Sequence, residues 1–189
     1  MSIPTLLGYF LLVVFFYLET RLRRGDQAKS RAEGQFDRKT TRYLGYAYFV
    51  SILALLAAWV LNALGIGLLP SWVPWLGVLL ALGGLLMRTW ANHVLGGYYT
   101  RTLKVLEGQM IVQAGPYRFI RHPGYLGMIL MWIGVSASTG NWIVILIVLC
   151  AILSAYHYRI QNEEEMLLHA LPGYADYSSR TWRLIPLLY

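Results

Sequence analysis

The chain has 189 residues, 57% of them hydrophobic and only 13% charged, with a mean hydropathy of +0.49. Soluble domains carry about a quarter charged residues, so this composition excludes an ordinary soluble domain and predicts an all-α integral membrane protein. The net charge of +7 reads as headgroup contact and topology rather than as a nucleic-acid footprint. The bilayer is the expected partner, and nucleic acid is not.

Ile3 to Leu18 is the first apolar run, about sixteen residues where roughly twenty are usual for a span. It lacks a basic leader and is followed by charge, so it does not resemble a secretory signal. Arg21 to Arg42 holds eight of the sixteen Lys and Arg residues, mixed with Asp26, Glu33 and Asp37. This stretch reads as a solvated, lipid-facing connector. Leu44 to Leu64 and Trp72 to Trp90 are the second and third candidate spans, the latter with Arg88 near one end. A polar section runs from about Asn92 to His122.

Gly124 to Tyr158 contains no charged residue. As one helix its 35 residues would reach about 50 Å against a hydrocarbon core of about 30 Å. The run must therefore turn, and the Ser-Thr-Gly-Asn cluster in "SASTGNW" is the place. Two helices follow from this, about Pro123 to Ala137 and Trp142 to about Tyr158, which makes five spans. Cys150, the single cysteine, is expected to pack in the core. The chain divides into residues 1–92, three transmembrane helices with a basic loop at 19–43, and residues 93–189. The second part holds the hairpin 123–158 and a C-terminal amphipathic helix. With five spans every Lys and Arg falls on one side, so the N-terminus is expected outside and the C-terminus in the cytoplasm.

Two polar motifs lie on that side. In "AGPYRFIRHPGY", Pro123 pushes His122 toward extended backbone and itself suits a first helical turn. Gly124 leaves the backbone bare beside it. The product is an exposed helix N-terminus able to take a carboxylate or phosphate, with Gly115-Pro116-Tyr117 as a turn leading back to it. An interfacial anchor of Arg and Tyr would account for the same residues. In "YRIQNEEEMLLHALPGY", Arg159 and Glu163 share a helical face, with Glu164 beside them. Met166, Leu167, Leu168 and Leu171 give that helix an apolar side, and Pro172-Gly173 stops it. The hairpin brings Arg159, the glutamates, Tyr117, Tyr125 and His157 to one mouth. No metal site is expected.

The pattern "GPYRFIRHPGYLG", a hairpin, then "RIQNEEEMLLHALPGYADYSSRTWRLIP" resembles the isoprenylcysteine carboxyl methyltransferase family. That family is similar to the membrane phospholipid N-methyltransferases. The resemblance covers about Leu95 to Pro186. It implies methyl transfer from S-adenosyl-L-methionine, held in a C-terminal cytoplasmic pocket, to a lipophilic acceptor entering between helices. Carboxyl O-methylation of an isoprenylcysteine-like substrate is the leading expectation, and N-methylation of a lipid amine the alternative. Gln109, Met110, Ile111 and Val112 stand where the family carries His-x-Leu-Val among its cofactor contacts, with Gln109 replacing the His. Tyr117 matches the turn tyrosine, and His122, Pro123, Gly124 and Tyr125 match His-Pro-x-Tyr. Glu163 matches a cofactor-side glutamate and Arg159 a substrate-side arginine. Pro172 replaces the usual aromatic of the tail.

The chemistry agrees with this assignment. A helix N-terminus suits the cofactor carboxylate, a glutamate its ammonium or ribose, and aromatic rings its adenine or sulfonium. A carboxylate acceptor is already ionised, and Arg159 can aim it by a bidentate contact. An amine acceptor must lose a proton, which would give Glu163 or Glu164 a base role. Arg159 and Glu164 are thus the catalytic candidates. A nicotinamide-dependent membrane reductase is a second enzyme reading, because sterol reductases carry a similar C-terminal part, although the chain has no dinucleotide glycine fingerprint. A small transporter would call for ionisable groups buried mid-span, and the final hairpin has none.

Overall fold

The computed structural model describes residues 2–22, 37–99 and 102–186. Most of the basic stretch between Arg21 and Arg42 lies outside the described residues. Among the described residues six α-helices follow one another: α1 Ile3–Leu22, α2 Thr40–Ala63, α3 Val73–Leu95, α4 Pro123–Ser138, α5 Trp142–Ala170 and α6 Tyr174–Ser179. Short 3-10 turns at Gly96–Tyr98 and Gly115–Arg118 punctuate the connection from α3 to α4. Long apolar runs become helices here because a helix satisfies every backbone group within its own segment. Their ends are written locally. Pro123 opens α4, the Asn141 side chain caps α5 by accepting from the Ile143 amide at 3.1 Å, and Gly173, with φ +83°, leads into α6.

Among the described residues, four helices are long and apolar enough to cross a membrane. Five full spans were expected, and α4 is the exception, with 16 residues or about 24 Å. It still runs the length of the bundle, because Thr5 near the start of α1 donates to the Ser138 carbonyl at its end (2.9 Å). Its first turn, with Gly124 and Tyr125, lines the cavity described below. The second helix of the hairpin also differs from expectation. It does not end near Tyr158 but continues unbroken to Ala170, 29 residues in all. Between Arg159 and Ala170 there is no Gly or Pro and most residues are strong helix formers, so the charged motif and the apolar run form a single rod.

The closest packing joins α3 to α4. Gly77, Gly84, Gly127 and Gly134 recur at heptad spacing on the facing sides. A Cβ on Gly127 would stand 2.6 Å from the Arg88 amide, and one on Gly77 would stand 2.7 Å from the Gly134 carbonyl. Small residues let two backbones touch, the usual way to join helices in lipid. α1 packs on α3 and α4, while α2 packs on α5. A core centred on Trp132, Met131, Val144 and Ile152 takes in Leu55 of α2 and Leu85 of α3. Phe10, Leu56 and Leu79 are more than 60% exposed, as a lipid-facing exterior requires. Cys150 is on that exterior rather than in the core, since it projects from α5 away from α2 and α4.

Candidate active site

A cavity of about 420 Å³ opens at the polar end of the bundle. Gln109, Met110, Ile111, Val112, Tyr117, His122, Gly124, Tyr125, Arg159 and Glu163 all line it. Of the residues singled out from the sequence, Pro123 and Glu164 lie behind the wall. His157 is also away from it, exposed and paired with Gln161 at 3.0 Å.

Backbone pairing fixes the motif at the start of α4. The Arg121 amide donates to the Trp182 carbonyl (2.7 Å), the His122 amide to the Arg183 carbonyl (3.1 Å), and the Trp182 amide to the Phe119 carbonyl (3.0 Å). The tail is thereby laced onto the His-Pro-Gly-Tyr segment. Glu164 completes the lacing. Arg121 Nε reaches one of its oxygens at 2.8 Å, Arg183 Nε the other at 2.8 Å, and His122 Nε2 stands 3.2 Å away. A 7% exposed carboxylate held by two guanidinium groups is a fastening between α5, α4 and the tail.

On the cavity side, the Tyr125 hydroxyl donates to Glu163 and accepts from Arg159 Nε at 2.9 Å. Arg159 Nη1 also reaches the Thr41 hydroxyl at 3.2 Å. The Tyr125 ring is stacked on His122, with centroids 5.4 Å apart and planes 6° from parallel. The i, i+4 spacing of Arg159 and Glu163 thus produces a working pair with one hydroxyl wedged between them.

A second Arg–Tyr–Glu group lines the same cavity. Arg88 of α3 contacts Glu19 of α1 at 3.1 Å, and the Tyr99 hydroxyl lies between them, in contact with both. All three are less than 9% exposed. Sequence reasoning missed this group because its members come from positions 19, 88 and 99. The signal available was a glutamate prolonging the first apolar run and an arginine inside the third.

Aromatic hydroxyls complete the mouth. Burial pushes the Tyr117 and Tyr174 hydroxyls well above their usual range, and the Tyr177 hydroxyl up to about 12. All three therefore stay protonated at neutral pH. Tyr177 donates to the Tyr117 carbonyl at 2.7 Å, tying α6 to the turn. Gln109 accepts from the Leu106 amide at 2.9 Å, which shapes its own loop at the cavity edge.

Residues 75–169 match the isoprenylcysteine carboxyl methyltransferase family. The chain belongs to this family. It is 33% identical over 113 residues to the cobalt-zinc-cadmium resistance protein CzcN of Cupriavidus metallidurans, covering 60% of this chain and 47% of that protein. It is 28% identical over 115 residues to the protein-S-isoprenylcysteine O-methyltransferase of Dictyostelium discoideum, covering 59% and 48%. The chain therefore spans about half the length of these curated relatives. Its whole length also follows 69% of the solved structure of a eukaryotic intramembrane Ras methyltransferase, with a TM-score of 0.70 and 19% identity. The two share a fold.

Proposed function

We propose that this chain is an integral membrane methyltransferase that uses S-adenosyl-L-methionine to methylate a carboxylate on a lipophilic acceptor, an isoprenylcysteine-like compound first among them. The observation that carries this reading is the Arg159–Tyr125–Glu163 group beside the start of α4, on the wall of one cavity.

The residues fit the cofactor. A cavity of about 420 Å³ is in the range of small-molecule sites, roughly 300–1,000 Å³. The bare helix start at Gly124 suits a carboxylate, Glu163 an ammonium or ribose, and the rings of Tyr117, His122 and Tyr125 an adenine or sulfonium. Gln109 to Val112 edge the same space. When bound, the cofactor supplies an electrophilic methyl group on sulfur.

Arg159 is the acceptor-side residue. Its guanidinium is buried and braced by Tyr125 and Thr41, so it can grip a carboxylate in one orientation without reorganising. Such an acceptor is already ionised and needs no base. Glu164 supports this choice over an amine. Its oxygens are occupied by Arg121 and Arg183 and it does not line the cavity, so its role is to position the His122–Tyr125 segment. Buried Met128, Phe15 and Tyr156 line the inner end of the cavity and exclude water from the transfer. The mouth gathers the described basic residues, which supports a cytoplasmic site and C-terminus with the N-terminus outside.

Calorimetry of the purified protein tests the reading. Binding of S-adenosylmethionine or its demethylated product is expected, and failure to bind either contradicts it. NADPH in the same titration should give no heat.

A further inference from the structure

Asp37 stands just ahead of α2 and is 0% exposed. Arg38 and Lys39 follow it with φ +40° and +64°, left-handed backbone that is costly without glycine and is kept where the surroundings demand it. These two residues fold the chain back over the first turn of α2. The Asp37 carbonyl accepts from the Thr40 amide at 2.6 Å. One oxygen of its carboxylate accepts from the Thr40 and Thr41 hydroxyls, both at 2.8 Å, and the other from the Thr41 amide at 3.4 Å. A buried carboxylate is normally paired with a cation. Among the described residues, this one reaches a cation through hydroxyls: Arg159 Nη1 donates to Thr41 Oγ1 at 3.2 Å and stands 3.5 Å from Thr40 Oγ1.

The direction of this chain of hydrogen bonds is forced. A guanidinium only donates and an ionised carboxylate only accepts. A hydroxyl between them must turn its proton to the carboxylate and its lone pairs to the guanidinium. Tyr125 does so between Glu163 and Arg159 Nε. Thr41 does so between Asp37 and Arg159 Nη1. Contacts at two different nitrogens set the plane of the guanidinium, which a single contact would leave free to turn. Without the Asp37 carboxylate the Thr41 hydroxyl is free to rotate, and its lone pairs no longer point steadily at Arg159.

We infer that Asp37 is a positioning residue for Arg159, acting through the Thr41 hydroxyl as Glu163 acts through that of Tyr125. This inference rests on the acceptor role proposed for Arg159. A bidentate grip on a carboxylate works in the plane of the guanidinium, so that plane decides which acceptor oxygen meets the methyl group. Asp37 and Thr41 both precede the family-matched residues 75–169. The acceptor side of the site is thus completed from a part of the chain that carries no shared motif.

The test uses the full-length protein in lipid nanodiscs, with an N-acetyl-S-prenylcysteine and its carboxamide as probes. The carboxamide is a neutral head that Arg159 cannot grip as an ion. Asp37→Ala and Thr41→Val should each lower kcat/KM for the acid by about tenfold, with calorimetric affinity for S-adenosylmethionine within about twofold of wild type. Affinity for the acid should fall by a similar factor relative to the carboxamide, a ratio that a merely structural loss would leave alone. Asp37→Asn keeps an oxygen that accepts from both hydroxyls, and Thr41→Ser keeps the hydroxyl, so both should stay within about twofold of wild type. Combining Asp37→Ala with Thr41→Val should be no more than about twofold worse than Thr41→Val alone, because both break one chain. Thr41→Val leaves the Asp37–Thr40 contacts in place and decides the matter if Asp37→Ala does not fold. Glu165→Ala releases Arg38 without touching the hydroxyls and should turn over as wild type. The inference is overturned by wild-type turnover in Thr41→Val, by equal losses of acid and carboxamide affinity, or by Asp37→Asn failing as Asp37→Ala does. Additive losses in the double variant, or an equal loss in Glu165→Ala, would overturn it too. Failure of the wild-type protein to bind the donor or to methylate the acid would instead remove the proposed function.

Discussion

The Tyr125 group and the Tyr99 group use the same three residue types, each with a tyrosine hydroxyl between a guanidinium and a carboxylate, yet they are embedded differently. Around Tyr125 of α4, the partners Arg159 and Glu163 both come from α5 and face the cavity. Around Tyr99, the partners tie α1 to α3. Arg88 Nε is there buried without a hydrogen-bond partner, as is Asn92 Nδ2 one turn further on, and a Cβ on Gly124 would sit 2.9 Å from Arg88 Nη1. Both groups line the cavity, so neither the residue set nor the cavity wall alone decides between binding and fastening. We read the first as the binding group, and the second as a fastening, because it joins two helices distant in the chain and its guanidinium is packed against the α4 backbone at Gly124.

Substitutions can break that distinction, beginning with the largest effect. Arg159→Ala should cut methyl transfer by about 10²–10³-fold while donor affinity in calorimetry changes little; an unchanged rate would remove the acceptor role. Arg88→Ala removes the buried guanidinium that contacts Glu19 and Tyr99 and should cost about 3–5 kcal/mol of stability, read as a lower Tm in a fixed detergent. Replacing both partners, Arg88→Met with Glu19→Leu, should recover most of that Tm, because an apolar pair of similar volume is tolerated where a broken buried ion pair is not. A double variant as unstable as the single would show that the pair is more than a fastening.

The tyrosines offer a finer cut. Tyr125→Phe should weaken donor binding by about tenfold, the scale of a hydrogen bond to a charged group at about 1.5 kcal/mol, with Tm nearly unchanged. Tyr99→Phe should do the reverse, lowering Tm while donor affinity holds. Identical behaviour of the two variants would erase the contrast drawn here. The smallest effect belongs to Glu165→Ala. Its bidentate contact with Arg38, 2.8 Å at both nitrogens, is exposed on the surface and should contribute only about 0.2–1 kcal/mol.

The readable and unreadable parts of this molecule divide along the same line. The hairpin turn, the helix start at Pro123, the stop at Pro172-Gly173 and the Arg159–Glu163 face follow from short-range rules, and those elements stand as the residues imply. The Gln109–Val112 loop and the His-Pro-Gly-Tyr segment were singled out through the family resemblance, and Gln109 to Val112, His122, Gly124 and Tyr125 line the cavity. Glu164 was misleading for a physical reason. Adjacent helical positions point about 100° apart, so it turns toward Arg121, Arg183 and His122 while Glu163 turns toward Tyr125. Glu19, Arg88 and Tyr99 were silent because no local pattern links α1 to α3. The Gly77, Gly84, Gly127 and Gly134 repeat was present in the sequence as a heptad of small residues, and it marks the tightest contact of the bundle.

The central claim is carboxyl methylation at a membrane site, and the chemical stability of the product tests it most directly. Radiolabelled S-adenosylmethionine would be supplied to membranes containing this protein or its Arg159→Ala variant, and the labelled lipid fraction treated with mild base. The account predicts label that enters with the wild type, is nearly lost with Arg159→Ala, and is released by base as an ester must be. A base-stable label, or none above membranes lacking the protein, would contradict it.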